Sequence, residues 1–456
     1  MRRSHEIDMT TGPIFSKILM FVLPLMASGI LQLLFNAADV VVVGKFAGSL
    51  ALAAVGSNGA LINLFVNVFI GISTGANVLV ARFYGSHDYE ELSRSVHSAI
   101  AISSVLGIIV AILGIFLSTP VLTMMNTDPQ VLPLASLYLR IYFLGVPATL
   151  VYNFGAAILR AVGDTERPLR FLIISGVVNV GLNLILVIVF HLDVAGVGIA
   201  TAVSQYVSAF LVIRCLIQSD GIYQLRIKDI RFHKDMILRI IQIGIPAGLQ
   251  SSVFSLSNVL IQSSINSFGY ITMAANSAAG NIDGFIYISV NAVHHAGLSF
   301  TSQNYGAKRY DRIKRIFLLC CITTFSIGLI MGGLFNLFGS QLLSLYVSSS
   351  DPNHAAVIAT GMVRLRILGL SYCLCGLMDT LTGLLRGLGK SWTSLIISIF
   401  GACVFRVVWI YTIFLLFRSL DVLYLSYPFS WIITLIVQII VLVHTYQKQC
   451  KISVMT

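Results

Sequence analysis

Charge is what this chain has least of: Asp, Glu, Lys and Arg make up 10% of its 456 residues, against about 25% in a soluble domain. Carboxylates are scarcest, 18 against 29 Lys and Arg. With 57% hydrophobic residues and a mean hydropathy of +0.90, the shortage excludes a soluble fold and predicts an all-α polytopic membrane protein. The apolar runs reach about 20 residues, too long for the alternating ~10-residue strands of a β-barrel. None of the seven cysteines (Cys215, Cys320, Cys321, Cys373, Cys375, Cys403, Cys450) falls in a predicted outer loop, so neither disulfides nor a zinc site are expected. No cleavable signal is expected either, because Met1 to Lys17 is polar and the first apolar run is too long for a signal core. Gly387-Leu388-Gly389-Lys390-Ser391 lacks the earlier glycine of a phosphate loop, since position 384 is leucine. With no metal cluster, no Ser/His nucleophile pair and no haem or quinone motif, the chain does not read as an enzyme. The net charge of +11 is spread over many loops, which argues against a nucleic-acid partner and for the lipid bilayer.

What is present is a repeat. Pro24 opens an apolar segment reaching Asn36, and Pro246 opens another reaching Asn258 at the same spacing. Phe83-Tyr84-Gly85 is matched by Asn304-Tyr305-Gly306, and Leu159-Arg160-Ala161-Val162-Gly163 by Leu385-Arg386-Gly387-Leu388-Gly389. Duplicated halves of this size in a membrane protein face each other across a shared cavity, as in secondary transporters. Apolar runs between charged or Gly/Pro-rich breaks give twelve transmembrane helices. The expected architecture is two pseudo-twofold-related six-helix lobes around a central cavity, residues 1–223 and 224–456, joined by a basic loop at about 218–236. Alternate connections hold nearly all the Lys and Arg, and the intervening ones hold only Lys45 and Arg418. That asymmetry predicts a multi-pass protein of the cytoplasmic (inner) membrane with both termini cytoplasmic.

Three carboxylates fall inside predicted spans: Asp39, Asp283 and Asp379. A charge at that depth costs at least about 2.5–3.5 kcal/mol, so each needs a reason. Ser28, Gln32, Asn36 and Asp39 form one stripe on the first span. Spans five and six add Ser175, Asn179 and Asn183, and Thr201, Gln205 and Ser208. No cation of the first half sits clearly within a span to neutralise Asp39. It is therefore suited to exchanging a proton, or to holding sodium with amide and hydroxyl oxygens around it. The competing reading is a packing network with no transport role.

The second half differs. Ile261 stands where Asp39 would repeat, while Asp283, Tyr287, Asn291 and His294 form a stripe on span eight. Counting residues from each membrane face puts Asp283 level with Arg406 on span eleven, which predicts a structural ion pair. Asp379 lies near Arg386 with a structural, gating or substrate role open, and His294 and His295 read as satisfied interior histidines. Pro24, Pro147 and Pro246 are expected to kink their helices.

Pro24-Leu25-Met26 leading to Asn36-Ala37-Ala38-Asp39, the run at 155–165, Gln303-Asn304-Tyr305-Gly306-Ala307 and Leu385-Arg386-Gly387-Leu388-Gly389-Lys390-Ser391 together resemble the multidrug and toxic compound extrusion (MATE) family over nearly the whole chain. The resemblance is greatest to its DinF-like branch. It implies a multidrug efflux antiporter that works without a cofactor.

 The implied cargo is a cationic amphipathic organic compound, exchanged for H+ or Na+. The implied coupling site comprises Asp39 with Gln32, Asn36, Asn153, Asn179, Asn183 and Thr201. Relatives in that branch can have an aspartate where this chain has Asn183, so the site here has one fewer possible charge. The acidic residues that the NorM-like branch uses on spans seven and ten are not matched, so that mechanism is not carried over. Helix phase turns Met26, Phe35, Phe65, Tyr152 and Phe154 toward the expected cavity, where apolar and cation–π contact suits flat cations. Asn258, Gln262, Asp283 and Tyr287 are placed there from the second half. A monomer is expected. The alternative reading is a flippase for lipid-linked oligosaccharides, which needs cavity cations to meet pyrophosphate.

Overall fold

A computed structural model describes residues 6–347 and 352–455, without the side chains of Ser49, Ala60 and 450–455. Arg2, Arg3 and the side chain of Cys450 lie outside the described residues. Those residues are almost wholly helical, and eleven helices are long and apolar enough to cross a membrane. They are α1 (Ile14–Ala47), α2 (Leu50–Ser86), α3 (Tyr89–Met124), α4 (Leu132–Ala161), α5 (Glu166–Val189), α6 (Asp193–Ile217) and α7 (Lys234–Asn266), then α9 (Tyr310–Leu337), α10 (His354–Gly387), α11 (Ser391–Leu416) and α12 (Leu420–Gln449). Between them α8 (Tyr270–Gly306) is long enough to span, but Asn276, Asn281, Asp283, Asn291, His294 and His295 make it too polar to be counted by hydropathy. Together these are the twelve spans expected from sequence.

The repeat is written into the backbone. Gly163 and Gly389 end α4 and α10 at φ +92° and +82°. In each case the residue after the glycine returns its N–H to the leucine that opens the motif, Asp164 to Leu159 and Lys390 to Leu385. A residue with a Cβ is strained in that left-handed position, so glycine is required where the helix must stop within one turn. His87 and Lys308, which follow the matching Tyr-Gly pairs, share φ +56°.

The chain divides into two compact units, but not at the basic loop. Unit 1 contains residues 1–8 and 27–248, and unit 2 contains residues 9–26 and 249–456. The first halves of α1 and α7 thus belong to the opposite unit from their second halves. Each crossing comes two residues after a proline, Pro24 or Pro246, through which the helix continues. Pro removes one hydrogen bond from the helical ladder, which makes these the compliant points of α1 and α7.

The physical reason for the boundary at 248 is a glycine groove. Gly71 and Gly75 on α2 face Gly244 and Gly248 on α7, both pairs at a spacing of four. A Cβ on Gly71 would overlap the Gly248 backbone, one on Gly75 the Ile240 carbonyl, and one on Gly244 would stand 2.5 Å from Ile72 O. Small residues at this spacing let membrane helices touch backbone to backbone. The loop before α7 is held to α3 of the same unit: Arg226 N donates to His97 Nε2, Ser98 bonds His233, and Arg94 pairs with Asp235 at 3.0 Å. The loop expected to join the lobes is therefore part of unit 1. Gly75→Val should drive α7 off α2, and folded, monodisperse protein should be lost on size-exclusion chromatography in mild detergent. Overpacking of this kind costs about 1–3 kcal/mol when side chains can shift, and more against backbone, which cannot.

Residues 9–26 are tied to unit 2 in a different way. Met9 is fully buried, its N–H donates to Gln303 Oε1, and Asn304 Nδ2 donates back to Met9 O. Arg312 donates to the carbonyls of Thr11 and Gly12, both at 3.0 Å. Phe21 meets Phe300 edge to face at 5.7 Å. Glu6 lies in unit 1, where Tyr223 and Tyr84 donate to its two carboxylate oxygens. Burial pushes the Tyr223 hydroxyl up to about 12, which keeps it a donor to Glu6 while it accepts from Arg167.

Candidate functional site

In unit 1 the polar stripes of α1 and α5 meet. Asn183 Nδ2 donates to Asp39 Oδ1 at 2.5 Å and approaches Asn179 Oδ1 at 3.4 Å. Asn179 and Asn183 are buried, and Asp39 is half-buried. The helices come this close because Gly176, two turns before Asn183, leaves room for the ring of Phe35; a Cβ there would overlap it. Phe35 therefore packs between α1 and α5. No Lys or Arg among the described residues acts on Asp39, and its one hydrogen bond there is from Asn183. The Oδ1 of Asn183 is fully enclosed and has no partner among the described residues. The site thus holds one carboxylate, one amide donor already used, and one vacant acceptor oxygen.

Both helices widen just beyond these residues. Val43–Ala47 and Ile185–Val189 each form a π-helical turn, four residues past Asp39 and two past Asn183. Such turns interrupt the regular hydrogen-bond ladder and recur at functional sites in helical proteins.

The other expected members are placed less closely. Gln32 and Asn36 are exposed and Asn153 is half-buried. Thr201 gives its hydroxyl proton to Val197 O of its own helix, at 2.9 Å. Phe154 is fully buried with Ile158, Val212 and Leu216 in the core of unit 1, so it lines no cavity, and helix phase alone misassigned it. Tyr152 donates to Pro168 O, and Phe65 packs between Phe69 and Phe143. Met26 is half-buried. Tyr138 of α4 was missed by the sequence reading, yet it lies within electrostatic range of Asp39. Its signal was the Tyr138, Tyr142 pair one turn apart in an otherwise apolar span.

In unit 2 the expected Asp283–Arg406 pair does not form. Asp283 instead pairs with Arg364 of α10, Nε to Oδ2 at 2.8 Å, with side-chain exposures of 2% and 14%. Arg364 also bonds Asn276 Oδ1, which Tyr424 of α12 shares at 3.1 Å. Asn276 Nδ2 donates to Gln262 of α7, which bonds Asn266. Asp283 and Gln262 are thus knots in a network joining α7, α8, α10 and α12. Asn258 is exposed. A second cluster gathers around Asp379, which Asn291 and Tyr287 hydrogen-bond and Arg386 faces, while Arg386 Nη2 also donates to Gln250 at 2.8 Å. His294 Nδ1 sits 2.6 Å from the Asp379 carbonyl, an interior histidine with a partner, as expected. A π-helical turn (Leu365–Gly369) follows Arg364 directly, and another (Ile399–Val404) precedes Arg406 by two residues.

The pattern of one family, MatE, matches residues 24–185 and 246–412, once in each half and beginning each time at the proline of α1 or α7. The chain belongs to the MatE family. Among MatE-type relatives it is similar to the probable multidrug resistance protein YoeA of Bacillus subtilis (strain 168), 26% identical over 84% of this chain and 83% of that protein. It is also similar to the multidrug export protein MepA of Staphylococcus aureus (strain N315), 23% identical over 88% and 87%. In fold it matches an outward-facing MATE family multidrug resistance transporter of the MOP superfamily, with a TM-score of 0.91 at 22% identity over 99% of this chain and 100% of that one. A MOP superfamily transporter from Pyrococcus furiosus gives 0.90 at 21% identity, over 98% and 99%. The MatE chain described here is thus a multi-pass membrane protein with that fold.

Proposed function

We propose that the protein is a secondary active multidrug efflux antiporter of the cytoplasmic membrane, with both termini on the cytoplasmic side. It exports cationic amphipathic compounds in exchange for protons, with sodium as the alternative ion. The observation that carries this reading is Asp39: a carboxylate on a membrane helix, with no cation acting on it among the described residues, beside an Asn183 oxygen that has no partner among them. Its relatives' names supply the class of cargo.

The chemistry follows from that geometry. As a carboxylate, Asp39 accepts from Asn183 Nδ2 through a charge-assisted bond and attracts a cationic drug. A proton neutralises it, weakens both interactions, and supplies a donor that the Asn183 oxygen can accept. Sodium would engage the same two oxygens. Either change alters how α1 meets α5, next to the π-helical turns of both. One site with two ligands couples their fluxes provided each ligand prefers a different state. The flippase reading is weakened because Arg364 and Arg386, two of the cations that would meet pyrophosphate, face Asp283 and Asp379 instead.

The test is ethidium movement in liposomes holding the purified protein, under an imposed proton gradient without sodium. Movement that collapses with the gradient is the expected result. Movement only after sodium is added changes the ion, and none under either gradient overturns the export reading.

A further inference from the structure

The connection between α6 and α7 is held in place by what it buries. Tyr223 and Leu225 lie in the core of unit 1, and Ile230 packs against the same core. Leu225 N donates to Leu216 O at 3.0 Å, Gln224 Nε2 to Ile217 O at 3.1 Å, and Arg226 N to His97 Nε2 at 3.0 Å. A single 3-10 turn, Ile227–Asp229, leads on to His233, which Ser98 holds. The side chains between these anchors turn outward. Arg226, Lys228, Arg231 and Lys234 are exposed, and none has an ion-pair partner among the described residues. Asp229 is the one carboxylate between them, and Asp235 just beyond is taken by Arg94. Two large apolar side chains share the outward set, Ile227 at 68% exposure and Phe232 at 59%.

A loop that served only as a tether in water would gain nothing from Ile227 and Phe232 at its surface, and four unpaired cations beside them repel one another. One partner satisfies both sets. The head group of an anionic phospholipid pairs with Lys and Arg, and the acyl boundary beneath it takes apolar side chains. A free anion would meet the cations and leave the apolar pair wet. The loop joins Ile217 to Lys234, the ends of two membrane helices, so it stays at the bilayer surface. We propose that this loop docks on anionic phospholipid of the cytoplasmic leaflet, with Arg226, Lys228, Arg231 and Lys234 on the phosphates and Ile227 and Phe232 among the upper acyl carbons. The backbone is pinned to α3 and α6 beforehand, so docking costs little ordering of the chain. The choice of leaflet rests on the orientation proposed above, whereas the lipid contact does not.

The test places the full-length protein in phosphatidylcholine nanodiscs that carry a minor share of either brominated phosphatidylglycerol or brominated phosphatidylcholine. Bromine on an acyl chain quenches a tryptophan that it touches. Phe232→Trp adds one to the loop, and its quenching is read above the background of the three tryptophans already in the chain. Brominated phosphatidylglycerol should quench the added tryptophan about threefold more than brominated phosphatidylcholine, because each basic residue favours an anionic surface about fivefold. Raising the salt should shrink that preference. Arg226→Gln, Lys228→Gln, Arg231→Gln and Lys234→Gln together should bring the two lipids level. If that variant does not fold, Lys228→Gln with Arg231→Gln takes its place and should remove about half of the preference. Equal quenching by the two lipids overturns the head-group contact, and quenching by neither puts the loop in water and overturns the docking. A preference that survives loss of the cations belongs elsewhere on the protein and overturns the assignment to this loop. So does one abolished by inorganic phosphate at matched ionic strength, which gives the cations to a free anion. No outcome depends on transport, so export stands or falls by the ethidium experiment alone.

Discussion

Asp39→Asn should abolish ion-driven export and leave the protein folded. Asparagine is nearly the same size, so Phe35 still fills the space at Gly176 and α1 still meets α5. What changes is charge. The substituted side chain can neither take up a proton nor attract a cationic drug, and its amide competes with Asn183 Nδ2 for acceptors. Dye movement driven by a proton gradient should fall to the level of empty liposomes, while the melting midpoint in detergent stays within a few degrees of wild type. Asp39→Glu should restore part of the transport, because it returns the titratable group one methylene displaced. Undiminished gradient-driven export by the asparagine variant would remove Asp39 from the mechanism.

The second large effect is expected at the ion pair of unit 2. Removing one partner of a buried pair strands the other and costs about 3–5 kcal/mol, whereas removing both costs far less. Arg364→Gln leaves Asp283 with no cation in a place almost closed to solvent, and it also takes a bond from Asn276. The single variant should lose folded yield and melt well below wild type. Adding Asp283→Asn should recover much of the loss, because two amides can bond each other and Asn276. Pairing Asp283→Asn with Arg406→Gln instead should give no such recovery. A double-variant cycle of melting midpoints separates the two outcomes.

These residues also show where sequence reasoning stops. The repeat, the twelve spans and the polar stripes of α1 and α5 follow from spacing, because apolar length and a four-residue period are properties of the chain itself, whereas the grouping of Asp39 with Asn183 came from the family resemblance. The partner of Asp283 does not. Counting from the membrane face fixes depth but not direction around a helix axis, so Arg406 at matching depth was taken for the partner. Arg364 lies ten residues into a helix that begins at His354, which carries its side chain about 15 Å inward. The unit boundary was hidden for a related reason. A basic loop looks like a joint, whereas the actual division depends on which backbones approach, and Gly71, Gly75, Gly244 and Gly248 record that only once α2 and α7 are known to touch.

The exchange of half-helices bears on how the molecule is made. A chain emerging from the ribosome has α2 complete long before Gly244 and Gly248 exist, so the groove at Gly71 and Gly75 stays open until the seventh helix has been inserted. Residues 9–26 wait longer still, because Phe300, Gln303 and Asn304 are synthesised almost 300 residues later. Unit 1 is therefore complete only when the first half of α7 has been made, and unit 2 draws on a segment synthesised before most of unit 1, so the usual order of one finished domain followed by the next does not apply. The first helix must remain soluble in lipid, half unpacked, through most of synthesis, and its final closure reports that the rest of the chain has arrived.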